Sequence, residues 1–166
     1  MPSAGKQHVT DPTKLATWEL MDRLRASKPA SQLVVDLVAP LGGLLVLRWA
    51  AFMEAETEAV SAFNDTPFEP LLPESLREAS WRDVHGLPLR LKAGLPAVRQ
   101  RRDAGTSRYV WAVAPAVLQC AERNQEVFAS LVEWVASVVF DSAEGRETAA
   151  STFDDVLARV VDGQGK

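Results

Sequence analysis

The chain has 166 residues, 47% of them hydrophobic and 24% charged, with a formal net charge of −4. That length suits a single domain; the composition excludes global disorder, and the acidic balance excludes a generic polyanion binder. The one cysteine, Cys120, excludes an internal disulfide framework and, at helical spacing among apolar neighbours, reads as an inert core thiol.

Residues 1–10 read as a loose tail without the apolar run of a signal peptide, so a soluble cytoplasmic protein is the expectation. Asp11-Pro12 is a helix start, a capping side chain followed by proline at the first helical position. The first helix then runs to about Ala26, burying Leu15, Trp18 and Met21 with Leu24 beside them, and Lys28-Pro29 ends it.

The stretch 31–63 is the predicted hub. Leu33, Leu37, Leu41, Leu44, Leu45, Trp49 and Phe52 recur at helical spacing, and Val34 and Val38 widen the stripe. A membrane span is the rival reading. The uncharged run from Leu37 to Leu47, bracketed by Asp36 and Arg48, falls short of the roughly 20 apolar residues a bilayer requires. Pro40 removes a backbone donor, and Gly42 and Gly43 each cost about 1 kcal/mol against alanine in a helix. The hub is therefore expected to kink near Pro40 or to be two helices meeting there. Glycines also admit a close neighbour, but a kink tolerated by packing is the preferred reading. Glu54, Glu56 and Glu58 then form a solvated helix end.

Pro67, Pro70 and Pro73 forbid a regular helix until after the third proline, and Pro73-Glu74-Ser75 starts a short helix leading to Trp81. Phe68, Leu71, Leu72 and Trp81 are too apolar to float free, so this long proline-rich loop should lie back on the bundle. His85-Gly86 breaks the chain. Leu87 to Asp103 reads as a helix interrupted around Gly94 and Pro96 and stopped by Ala104-Gly105. Tyr109 to Arg123 reads as another, with Trp111, Leu118 and Cys120 at apolar positions and Pro115 near its start. Asn124 caps an amphipathic helix whose face is Phe128, Leu131, Val132, Val135, Val138 and Val139. After a loop from Asp141 to Arg146, the last helix spans about Thr148 to Val161 with Phe153, Val156, Leu157, Val160 and Val161 on one side. The expectation is an all-α fold: a single bundle of five to seven helices over residues 11–162 with a kinked, buried central helix.

Residues that carry chemistry are scarce. His8 and His85 lie far apart, no serine sits in a G-x-S-x-G elbow, and Gly163-Gln164-Gly165-Lys166 has no helix after it to cradle a phosphate. No residue is a candidate for catalysis, metal or cofactor binding, so this chain alone is not expected to be an enzyme. Charge, however, is segregated. Leu87 to Arg108 holds six bases against one acid, and Glu54 to Asp83 holds eight acids against two bases. The basic stretch suits phosphates, where Lys and Arg gain by counterion release; equally it suits a solvated face or pairing with the acidic stretch.

The order of these features resembles the N-terminal helical region of type I restriction–modification DNA methyltransferase subunits and related adenine-specific methylases. The matching pieces are Trp18 through Arg25, the hub ending Leu44-Leu45-Val46-Leu47-Arg48-Trp49, Pro73-Glu74 through Ser80-Trp81, and the last helix. Gly163 through Lys166 resembles the linker onto a methylase core missing from this sequence. Asp65-Thr66-Pro67-Phe68 mimics a catalytic Asn/Asp-Pro-Pro-aromatic motif, but threonine stands where a proline belongs and no cofactor loop precedes it. The resemblance implies a domain that helps clamp DNA and contacts the specificity subunit, with the restriction subunit a further partner and no membrane. The missing core would bind S-adenosylmethionine and methylate an adenine swung out of the duplex. Arg99, Arg101, Arg102 and Arg108 are the candidate phosphate contacts. The alternative is a stand-alone helical protein–protein adaptor that uses apolar surface from the Phe68–Trp81 loop; an acidic decoy imitating DNA is a third reading that the adjacent basic stretch opposes.

Overall fold

The computed structural model describes residues 30–98 and 105–162. Helices dominate for the reason the periodicity gives: every long apolar stripe repeats near 3.6 residues, and no segment holds a strand alternation. The fold is all-α, with six helices and no strand among the described residues. Helix α1 joins Ala30–Leu33, a π-helical turn Val34–Val38 and Ala39–Phe63. A 3-10 turn, Glu74–Leu76, precedes α2 (Glu78–Arg82), and α3 (Leu87–Gly94) runs into a second such turn, Leu95–Ala97. Then come α4 (Gly105–Arg123), α5 (Gln125–Ser137) and α6 (Ala143–Asp162). The expected first helix lies outside the described residues, as do the side chains of Val156, Leu157, Val160 and Val161.

Helix α1 is the hub. Leu37, Leu41, Leu44, Leu47, Ala50 and Ala51 are buried along it, facing α4 and α5. Full burial of each leucine stabilises by about 1.5–3 kcal/mol, which makes this seam the largest hydrophobic contribution in the fold. The expected irregularity at Pro40 takes the form of the π turn just before it. The Ala39 N–H donates to the Val34 carbonyl, five residues back, and Pro40 opens the following α-helical segment. The wider turn shifts the carbonyl that the proline ring would otherwise strike, so the helix changes register without breaking.

Continuous through this turn, the stretch from Val34 to Phe63 is long and apolar enough to cross a bilayer by length and composition alone. Length therefore does not separate the two readings. Of its most apolar window, 56% is buried by the rest of the fold, and Arg48 lies on its covered side.

Gly43 also has a packing role beyond the kink. A Cβ there would stand 2.5 Å from Val117 Cγ2, so the missing side chain is what lets α4 approach α1. Gly86 has φ +67° and precedes α3 in the left-handed conformation that a β-carbon disfavours.

Several expectations change at the element ends. The helix foreseen over Leu87 to Asp103 stops at Gly94; Pro96 sits in the 3-10 turn, and Val98 is extended. Gly105 starts α4 instead of ending a helix, and Pro115 lies inside α4, on its exposed side, where the lost backbone bond is cheapest. The amphipathic face of α5 holds from Phe128 to Val135, but the helix ends at Ser137 and Val139 is exposed. Asn124 caps it as foreseen, its side-chain oxygen accepting from the Val127 N–H at 3.2 Å. The loop before α6 is shorter than expected, since that helix starts at Ala143. Trp49 and Trp111 are 39% and 46% exposed, although their apolar character placed them in the core.

Gly43→Ala should destabilise the protein. Overpacking costs about 1–3 kcal/mol, more than the roughly 1 kcal/mol that alanine gains over glycine in a helix. Urea unfolding of Gly43→Ala, Val117→Ala and the double variant should show the double less unstable than the sum of the singles, because shortening Val117 makes room for the new methyl.

Candidate functional site

Two buried charges on α1 hold the proline-rich segment against the bundle. Arg48 follows Leu44 by one helical turn and so points to the core side, where it is only 7% exposed. Its guanidinium pairs with Glu78 at the start of α2, and lies 5.8 Å from the Trp81 ring centre and 5.3 Å from that of Phe140. Phe140 is held in place by Arg146, whose Nη1 donates to the Phe140 carbonyl at 2.6 Å. Two aromatic faces and one carboxylate replace part of the water that the cation gave up, while the buried Arg48 Nε and Trp81 Nε1 are without a hydrogen-bond partner among the described residues.

Six residues on from Arg48, Glu54 corrects the expectation of a solvated acidic end. Its Oε2 accepts from the Leu71 and Leu72 N–H groups at 2.8 and 3.0 Å, and its Oε1 from Arg77 Nε at 3.1 Å. Burial is the reason: the loop folds over this turn, and its backbone donors need an acceptor once water is gone. Arg77 also donates to the exposed Glu58 at 2.7 Å and covers the Phe68 ring. Glu56 and Glu58 are both exposed as foreseen, and of the three carboxylates Glu54 alone is buried. Leu72 and Trp81 are buried, so the loop lies back on the bundle as the sequence implied.

The basic stretch divides. Arg90 is structural: its Nε and Nη2 donate to Ser80 Oγ and the Ser80 carbonyl at 3.2 and 3.0 Å, and it reaches the Asp83 and His85 carbonyls as well. It closes the C-terminal end of α2, where a cation is favoured. Arg108 is exposed near the start of α4, between Gly105 and the exposed Tyr109 and Trp111. Arg99, Arg101 and Arg102 lie outside the described residues. Val98, the last described residue before them, and Val110 on α4 line a cavity of about 360 Å³ between α1, the proline-rich loop and α4. Its walls include Met53, Phe68, Thr57 and Ser61, with Glu54 and Glu69 also present.

Thr57 Oγ1 is committed to the Met53 carbonyl at 2.9 Å, and Cys120 is buried on α4, away from the residues of this cavity. Among the described residues no group of three His, Cys, Asp or Glu side chains could hold a metal ion. Among the described residues this side of the fold offers an apolar recess, a ridge of exposed apolar residues on α1 (Met53, Val60 and Phe63), and an exposed cation at Arg108. No family model, curated protein or solved structure matches the chain.

The buried pair sets an expected mutational pattern. Glu78→Gln should cost about 3–5 kcal/mol, because it leaves the Arg48 charge buried without its partner. Arg48→Met combined with Glu78→Gln should recover much of that loss in chemical denaturation. A second consequence concerns the loop. Glu54→Ala frees the Leu71 and Leu72 N–H groups, and limited proteolysis should then cut between residues 64 and 77 several-fold faster than in the unaltered protein.

Proposed function

We propose that this chain is a non-catalytic helical domain of a type I restriction–modification-like adenine-specific DNA methyltransferase subunit. In this reading it works in the cytoplasm, helps clamp DNA and docks on the specificity subunit, while a methylase core bearing S-adenosylmethionine performs the transfer. One observation carries the reading: two of the separate pieces on which the resemblance rests touch each other. Arg48, from the hub's Leu44–Trp49 end, pairs with Glu78 and lies against Trp81, both from the Pro73–Trp81 piece. Two segments joined by a buried ion pair behave as one structural unit, which supports reading them as parts of one pattern.

Arg108 supplies the DNA-facing half of the argument. A cation in the first turn of a long helix opposes the macrodipole and gains nothing locally, whereas a phosphate at the same place gains from both the arginine and the helix dipole. With Arg99, Arg101 and Arg102 next to it in the chain, it would grip the backbone of the duplex and leave sequence reading to another subunit. A second reading, the stand-alone protein–protein adaptor, loses the surface expected of the Phe68–Trp81 loop, whose Leu72, Leu76 and Trp81 are buried against the bundle, and is favoured instead by the exposed Met53, Val60 and Phe63 on α1.

Salt-dependent DNA binding by the assembled methyltransferase separates the two readings. Replacing Arg99, Arg101, Arg102 and Arg108 by glutamine should lower the slope of log K against log salt by about one for each lost phosphate contact. An unchanged slope removes DNA contact from the account. In that case Phe63→Asp abolishing subunit association would support the adaptor.

A further inference from the structure

Helices α1 and α6 touch at one end of their contact and part at the other. Gly42, Val46 and Trp49 follow one another on α1 at spacings of four and three, so they share a face. Arg146, Ala149 and Phe153 share a face of α6 by the same spacings. A Cβ on Gly42 would stand 3.3 Å from the Phe153 ring, so the helices are close there. Further along, where α6 presents only the small Ala149, they leave a recess of about 280 Å³ walled by Leu45, Val46, Trp49, Phe140 and Ala149. Arg146 is the one charged residue lining it.

That arginine is fixed but not neutralised. Its Nη1 donates to the Phe140 carbonyl at 2.6 Å, which sets the guanidinium beside the apolar walls. A guanidinium has further N–H donors to give, and among the described residues no carboxylate is paired with it. Arg146 also lies in the first turn of α6, where a cation opposes the macrodipole and an anion is favoured. We propose that this recess binds a small amphipathic carboxylate. The apolar body lies against Trp49 and Phe140, and the carboxylate accepts from Arg146, a planar fork suited to it. At the ~30 Å³ that a water occupies in the liquid, the volume corresponds to about nine non-hydrogen atoms, the size of a medium-chain alkanoate. A cationic amphiphile would meet like charge, and a neutral one would leave the guanidinium unused. The site shares no residue with the arginines proposed to meet DNA and is independent of that reading.

Calorimetric titration of the full chain with octanoate, octan-1-ol and octylamine tests it. Octanoate should bind at one site, several-fold more tightly than octan-1-ol, as suits an ion pair at a partly exposed arginine; octylamine should not bind measurably. Arg146→Gln should reduce octanoate to the affinity of octan-1-ol, while Arg146→Lys, which keeps the charge, should retain the preference. Ala149→Phe fills the recess and should abolish binding of both ligands. If that variant fails to fold, Val46→Glu, at a half-buried wall position, supplies an internal carboxylate and should abolish octanoate binding instead. The proposal is overturned if octanoate does not bind, if octylamine binds as tightly, if Arg146→Gln leaves octanoate affinity unchanged, or if binding survives the blocking variants.

Discussion

A guanidinium taken out of water within the longest helix constrains everything around it. Arg48 cannot stay on the covered side of α1 unless an anion comes to it, and Glu78 is that anion. Trp81 and Phe140 close over the pair from α2 and from the segment after α5. A buried ion pair adds little net stability over apolar residues of the same volume. What it gives here is a single register: α2 displaced along α1 by one turn would leave a cation against leucines. Hydrophobic burial holds the bundle together, and the ion pair decides which way the proline-rich segment lies on it.

Glu54 repeats the same logic with the signs reversed. Prolines at 67, 70 and 73 keep the loop out of helix and leave backbone donors that must be satisfied when the loop is laid on apolar surface. A carboxylate already on α1 meets two of them and Arg77 together. The two anchors lie within two turns of one helix, so the loop is fixed at both ends of α1's covered middle. That leaves a recess beneath the loop, with Val98 and Val110 at its wall. The binding surface is thus a by-product of how the loop is fastened.

Much of this was legible in the residues. The apolar period identified α1 as the hub, Asn124 announced the start of α5, and the apolar residues of the proline-rich loop showed that it must be covered. The buried charges were not read, although Arg48 carried a signal: it follows Leu41 by seven residues and Leu44 by four, so any helix burying those leucines buries it too. Glu54 carried none locally. Its neighbours Glu56 and Glu58 are exposed, and only the arrival of a distant loop sets Glu54 apart. Trp49 was misplaced for a related reason. Its spacing matched the leucine stripe, but that stripe spans most of the helix circumference, and α4, α5 and α6 do not cover all of it. The helix ends shifted where prolines and glycines allow several geometries, as at Gly94 and Gly105.

The account depends on α1 being the last element to come apart, with its middle turns closed until the whole domain unfolds. Native-state amide hydrogen exchange measures this residue by residue. The amides of Leu44 to Ala51 should be the slowest in the protein and should exchange with the free energy of global unfolding. If those turns instead open with a lower free energy while α5 remains protected, the hub is elsewhere and the architecture argued from Arg48 does not stand.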